Sequence, residues 1–158
     1  MSALLSVVIT TSISGCGGDD EETRLTRREW IRRGDAICRE ENERRAALVP
    51  PAFDPASTDL TADQLVMAAD FLEQTLTISD DTTARLETLG LPSRGAGEID
   101  DMFDERASGR RHILAAIEAA RLADVEEFRS RFGRGSADFA DATEIAIDFG
   151  LEDCGQLA

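Results

Sequence analysis

The chain has 158 residues, 32 acidic and 17 basic side chains, one histidine and a formal net charge of -15, a balance that argues against nucleic acid and anionic headgroups as partners because both select basic surface. A basic peptide, a cation or a polycation remains compatible with it. With 42% hydrophobic residues the composition suits one globular domain with a single core. All basic residues are arginine, which we read as GC-rich coding.

Residues 1 to 12 carry no charged side chain, and Ala3 to Ile9 form a short apolar run. Such a run suits the core of an export signal and is too short for a bilayer span, which needs about 20 apolar residues. Ile13-Ser14-Gly15-Cys16 follows. Two small residues before the cysteine let an extended segment enter a peptidase site, and the cysteine sulfur can form a thioether with diacylglycerol. The stretch resembles the bacterial lipobox, which implies removal of residues 1–15 as a lipoprotein signal peptide and lipidation of Cys16. It departs from that pattern in having no Lys or Arg before the apolar run, so either the amino terminus supplies the positive charge or the true start lies upstream of Met1. Residues 16–24, with Gly17-Gly18-Asp19-Asp20-Glu21-Glu22, read as an acidic flexible tether. Acyl chains on Cys16, at about 0.8 kcal/mol per buried methylene, make a lasting anchor. The expected location is the extracytoplasmic face of the cell membrane.

Two cysteines remain, Cys38 and Cys154. Outside the cytoplasm an even pair oxidises. The spacing excludes a CxxC redox motif, and the lone His112 completes no zinc set. We expect a Cys38–Cys154 disulfide, the alternative being two buried free thiols. Closing a loop of about 115 residues stabilises a fold by roughly 4–5 kcal/mol in the chain-entropy view.

Residues 25–158 read as four helices. The first opens on a capping box, Thr26 with Glu29, with Leu25 and Trp30 as its hydrophobic staple. Trp30, Gly34, Ile37 and Cys38 share a face, and Pro50-Pro51 ends the segment. A loop runs from Leu48 to Leu60. The second helix opens on the box Thr61 with Gln64, and its apolar stripe runs from Leu65 to Leu89. Its polar centre, Ser79-Asp80-Asp81-Thr82-Thr83, either breaks the helix or is spanned by it; we favour one helix. Gly90 fits a left-handed cap of the Schellman type, with Pro92 beyond. The third helix uses Ile99, Met102, Phe103, Ile113, Ala116, Ile117 and Ala120, with Ser108-Gly109 as an interruption. Asp124 caps the fourth, which carries Phe128, Phe132, Phe139, Ile145, Ala146 and Phe149, has weak points at Gly133 and Gly135, and closes at Gly150-Leu151. This pattern argues for an all-α, antiparallel up-down four-helix bundle. In it the first and last helices are neighbours, stapled by the N-to-C-terminal disulfide.

The chemistry-bearing residues carry no catalytic pattern. One histidine cannot supply the paired Glu-x-x-His motifs of a di-metal bundle, so His112 reads as a helix-surface or boundary residue. Asp100, Asp101, Asp104 and Glu105 lack the glycine and alternating oxygens of a calcium loop and read as a solvated acidic face. No serine has a G-x-S-x-G setting. The pairs Arg27-Arg28, Arg32-Arg33 and Arg44-Arg45 are interleaved with Glu29, Asp35, Glu40, Glu41 and Glu43, as expected for i to i+4 pairing on a wet face.

The segment from Trp30 to Arg45, with Asp35-Ala36-Ile37-Cys38 at its centre, and the ending Phe149-Gly150-Leu151-Glu152-Asp153-Cys154 are similar to the two ends of a group of small actinobacterial lipoproteins and secreted proteins with no assigned activity. The resemblance implies paired cysteines and one helical domain. The expectation is a non-enzymatic lipoprotein of the cell envelope, without cofactor or metal, that binds an envelope protein. The alternative is a bundle that carries a small ligand in pockets left by its weakened helix interiors.

Overall fold

A computed structural model describes residues 24 to 155, which form four α-helices and one short 3-10 turn. The signal segment, Cys16 and nearly all of the acidic tether lie outside the described residues. Helix α1 spans Arg27–Ala46, α2 Ala62–Glu87, α3 Ala96–Arg121 and α4 Val125–Phe149. A 3-10 turn, Asp153–Gly155, follows. No strand occurs among the described residues.

Three of the four helix starts carry a side-chain cap, whereas α3 starts at Gly95 without one. Thr26, Thr61 and Asp124 accept from the backbone N–H three residues on, at Glu29, Gln64 and Glu127, satisfying amides that a helix start leaves without partners. Thr61 and Gln64 complete a capping box. The box expected at Thr26 is half made, because the Glu29 carboxylate accepts instead from Arg32 and Arg33 at 3.1 and 2.8 Å.

The ends differ in the same concrete way. Gly150, at φ 99°, closes α4 with both bonds of a Schellman motif, Gly150 N to Ile147 O at 2.8 Å and Leu151 N to Ala146 O at 2.9 Å. At Gly90 only the narrower of the two forms, to Glu87 O at 3.0 Å. Helix α3 ends with the full motif around Ala123, a non-glycine residue at φ 58°, which its side chain concealed in the sequence.

Consecutive helices are antiparallel. Arg85 pairs with Glu40 and Arg44 with Asp81, so residue numbers run in opposite directions along α1 and α2. Arg110 with Asp80 and Arg121 with Asp70 show the same for α2 and α3. The polar centre of α2 does not break it. Nor are Ser108-Gly109 and Gly135 interruptions. A Cβ on Gly109 would stand 2.9 Å from the Phe139 ring, and one on Gly135 would stand 2.8 Å from Ile113, so both glycines are where α3 and α4 approach most closely. Gly133, with nothing within 4 Å, has no such role.

The disulfide joins Cys38 of α1 to Cys154 of the 3-10 turn. It therefore clamps α1 to the segment that follows α4. Around it Asp35 accepts from Asp153 N at 3.0 Å, and Asn42 donates to Asp153 O at 2.7 Å. Trp30 is fully buried, meets Phe149 edge to face at 5.6 Å and donates its indole N–H to Gly90 O at 2.7 Å, so its one polar group is satisfied.

The core is in two parts. One cluster, at the end where α2 and α4 begin, centres on Leu65, Leu72, Ile113, Ile117 and Phe128. The other, at the end where α1 begins, centres on Trp30, Ile37, Leu86, Ile99, Met102 and Phe149. Between them the interior is polar.

Candidate functional site

The polar layer is built from three helices. Glu41 falls seven residues after Gly34 on the buried face of α1, and Arg106 falls on the α3 stripe between Met102 and Gly109. Helical spacing delivers both inside. Glu41 is 1% exposed and Arg106 6%. Arg106 Nη2 stands 3.6 Å from Glu41 Oε2 and donates to Ser79 Oγ at 3.0 Å, while its Nε donates to Thr83 Oγ1 at 2.8 Å. Arg45, at the edge of the layer, holds the other Glu41 oxygen at 2.8 Å.

Burial pulls the Arg106 guanidinium below its ordinary range, and Arg45 adds to that pull; Glu41 and Asp80 oppose it. Burying charge is costly unless it is paired and hydrogen-bonded, and the two hydroxyls and the carboxylate meet that requirement. The Thr82 hydroxyl, in the same stretch of α2, is fully buried and has no hydrogen-bond partner among the described residues.

Beside this layer a cleft of about 310 Å3 opens between α2 and α3. Ser79 and Thr83 line it together with Arg106 and Arg110, and Phe103 and Phe139 supply aromatic walls. Asp80 and Glu87 line it too; Asp80 is held by Arg110 at 2.8 Å. The cleft thus touches one of the three regions expected as weak helix interiors, Ser79 to Thr83. The fold uses Gly109 and Gly135, however, to bring helices together.

The other candidates separate. Cys38 and Cys154 are bonded to each other. His112 Nδ1 lies 2.9 Å from Asp138 Oδ2, linking α3 to α4 at the bundle's boundary. Asp100, Asp101 and Asp104 are exposed along the first half of α3. Among the described residues no group of three or more His, Cys, Asp or Glu side chains is placed to hold a metal ion. The arginine pairs divide their work. Arg32 and Arg33 serve Glu29, and Arg45 serves Glu41, as i to i+4 reasoning expects. Arg39 reaches Asp153, Arg44 reaches Asp81, and Arg27 covers the Phe149 ring at 4.5 Å. Glu41 does not lie on a wet face; it is the buried partner of Arg106.

The fold and site define a disulfide-clamped helical bundle whose core is divided by a buried ionic layer. No protein-family profile, curated protein or solved structure matches the chain.

Proposed function

We propose that this chain is a cell-envelope lipoprotein, held through diacylglycerol on Cys16 at the extracytoplasmic face of the membrane, whose bundle is a non-enzymatic interaction module for another envelope protein. It belongs in this reading with the actinobacterial lipoproteins that its two ends resemble. The lipobox supports the anchor. The Cys38–Cys154 bond supports the compartment, since structural disulfides persist where the environment is oxidising.

The observation that carries the interaction reading is the outer face of the α2 and α3 pair. Val66, Asp70 and Glu73 recur on α2 at i, i+4 and i+7, and Leu114, Glu118 and Arg121 recur likewise on α3. Arg121 pairs with Asp70 at 2.6 Å and Glu73 at 3.1 Å, setting the two stripes side by side. Val66 and Leu114 are each 42% exposed and Leu122 is 74% exposed, an apolar surface that a partner would cover. The described chain starts at the opposite end, and α1, with 20 residues, rises about 30 Å away from it. Val66 and Leu122 therefore lie at the end of the bundle remote from Arg24, the first described residue.

Site-directed photocrosslinking in the native host tests this. Probes at Leu114 and Leu122 are expected to give a discrete protein adduct that a probe at the exposed Ala36 of α1 does not. Absence of an adduct, or the same adduct from Ala36, contradicts the reading. A second reading, a carrier of a small ligand, is favoured by one observation, the cleft beside Arg106.

A further inference from the structure

Arg106 holds more donors than the protein uses. Its Nε and Nη2 are committed to Thr83, Ser79 and Glu41. No group among the described residues accepts from Nη1, and Thr82 Oγ1, not Nη1, is the sealed polar atom without a partner. A buried guanidinium in a cleft wall with one nitrogen unclaimed is a preformed acceptor site for an anionic oxygen.

The charges around it favour one negative group. Arg45 and Arg106 face the single carboxylate of Glu41, so the layer holds two guanidinium groups for one anion. Asp80 is already neutralised by Arg110. Glu87, at the exposed edge, repels a second negative charge on a ligand. Phe103 and Phe139 offer apolar walls, and about 310 Å3 is at the small end of the range for small-molecule sites.

From this arrangement we infer that the cleft binds a small monocarboxylate with an apolar or aromatic body, its carboxylate on Arg106 Nη1 and its body against Phe103 and Phe139. The inference rests on the carrier reading and names its ligand class.

Phenylacetate is a suitable probe, titrated into the purified full chain and followed by calorimetry and by the Arg106 Nε–H resonance. Saturable binding is expected, at least about tenfold tighter than for neutral 2-phenylethanol, which lacks the charge-assisted bond. Ala107→Trp, at an exposed position in the cleft wall, fills the space while leaving the ionic layer intact; it is expected to abolish binding with thermal unfolding unchanged. Equal affinity for the alcohol, or undiminished binding to Ala107→Trp, overturns the inference. Native mass spectrometry of protein from its host separates the two levels. A retained ligand that is not a carboxylate overturns the ligand class and leaves the carrier reading standing, whereas no retained ligand together with no phenylacetate binding removes both.

Discussion

Glu41 of α1 and Arg106 of α3 meet inside the bundle at 3.6 Å, with 1% and 7% of their side-chain surfaces exposed. They divide the apolar interior and tie together two helices that are not consecutive. Breaking such a pair leaves an uncompensated buried charge, which costs about 3–5 kcal/mol. Glu41→Leu, which strips the buried Arg106 guanidinium of its carboxylate, is expected to lose that much in urea unfolding followed by the fluorescence of Trp30, the one tryptophan. The double variant Glu41→Leu/Arg106→Met is expected to recover most of the loss. A single variant losing less than about 1 kcal/mol would show that solvent reaches the layer.

The glycines of α3 and α4 are expected to respond with opposite signs. Gly109→Ala and Gly135→Ala each drive a methyl group to within 2.9 Å of atoms on the facing helix, and overpacking costs about 1–3 kcal/mol. Gly133→Ala meets nothing within 4 Å and gains the helix preference of alanine, up to about 1 kcal/mol. Chemical denaturation of the three variants checks the signs.

Thr82→Val removes the buried hydroxyl that has no partner among the described residues and keeps the branched shape. A buried unpaired polar group costs about 1–3 kcal/mol, so this variant is expected to raise the unfolding midpoint. A lower midpoint would mean that the hydroxyl finds a partner in solution.

These interior details were unevenly legible beforehand. Capping signals at Thr61 and Asp124, the glycine stop at Gly150, and the stripe from Leu65 to Leu86 are local, and they set the helices within a residue or two. The Cys38–Cys154 pairing was legible from the cysteine count together with the compartment expected from the lipobox resemblance. Arg106 and Glu41 were hidden by their type, since charged residues are assigned to solvent by default; their spacing with Met102, Gly109, Ile37 and Cys38 was the available signal. Gly109 and Gly135 were read as weaknesses because a glycine's packing partner lies on another helix. Ala123 gave no signal, as left-handed backbone is expected of glycine.

Asp35 gives a pH signature at the clamp. Burial raises its carboxyl above the ordinary 3.8, opposed by the Asp153 amide and reinforced by the charges of Asp153 and Glu152. A raised carboxyl pKa means the folded state prefers the protonated form. That contribution is present below the unfolded value and is lost as pH rises through the folded one. Asp35→Asn, which keeps an oxygen for Asp153 N, is expected to raise Tm at pH 7 by about 1–2 °C after solvent screening and to have little effect at pH 3. Glu29 slopes the other way. Hydrogen bonds from Arg33 and then Arg32 lower it below 4.5, so its contribution holds at neutral pH and fades in acid.

The most direct test of the envelope account is the intact mass of protein purified from its native membrane, taken with and without reduction before thiol alkylation. The account predicts a chain beginning at an acylated Cys16, with Cys38 and Cys154 unreactive until reduced and a stability loss of roughly 4–5 kcal/mol on reduction. An unprocessed chain with three free thiols would contradict it.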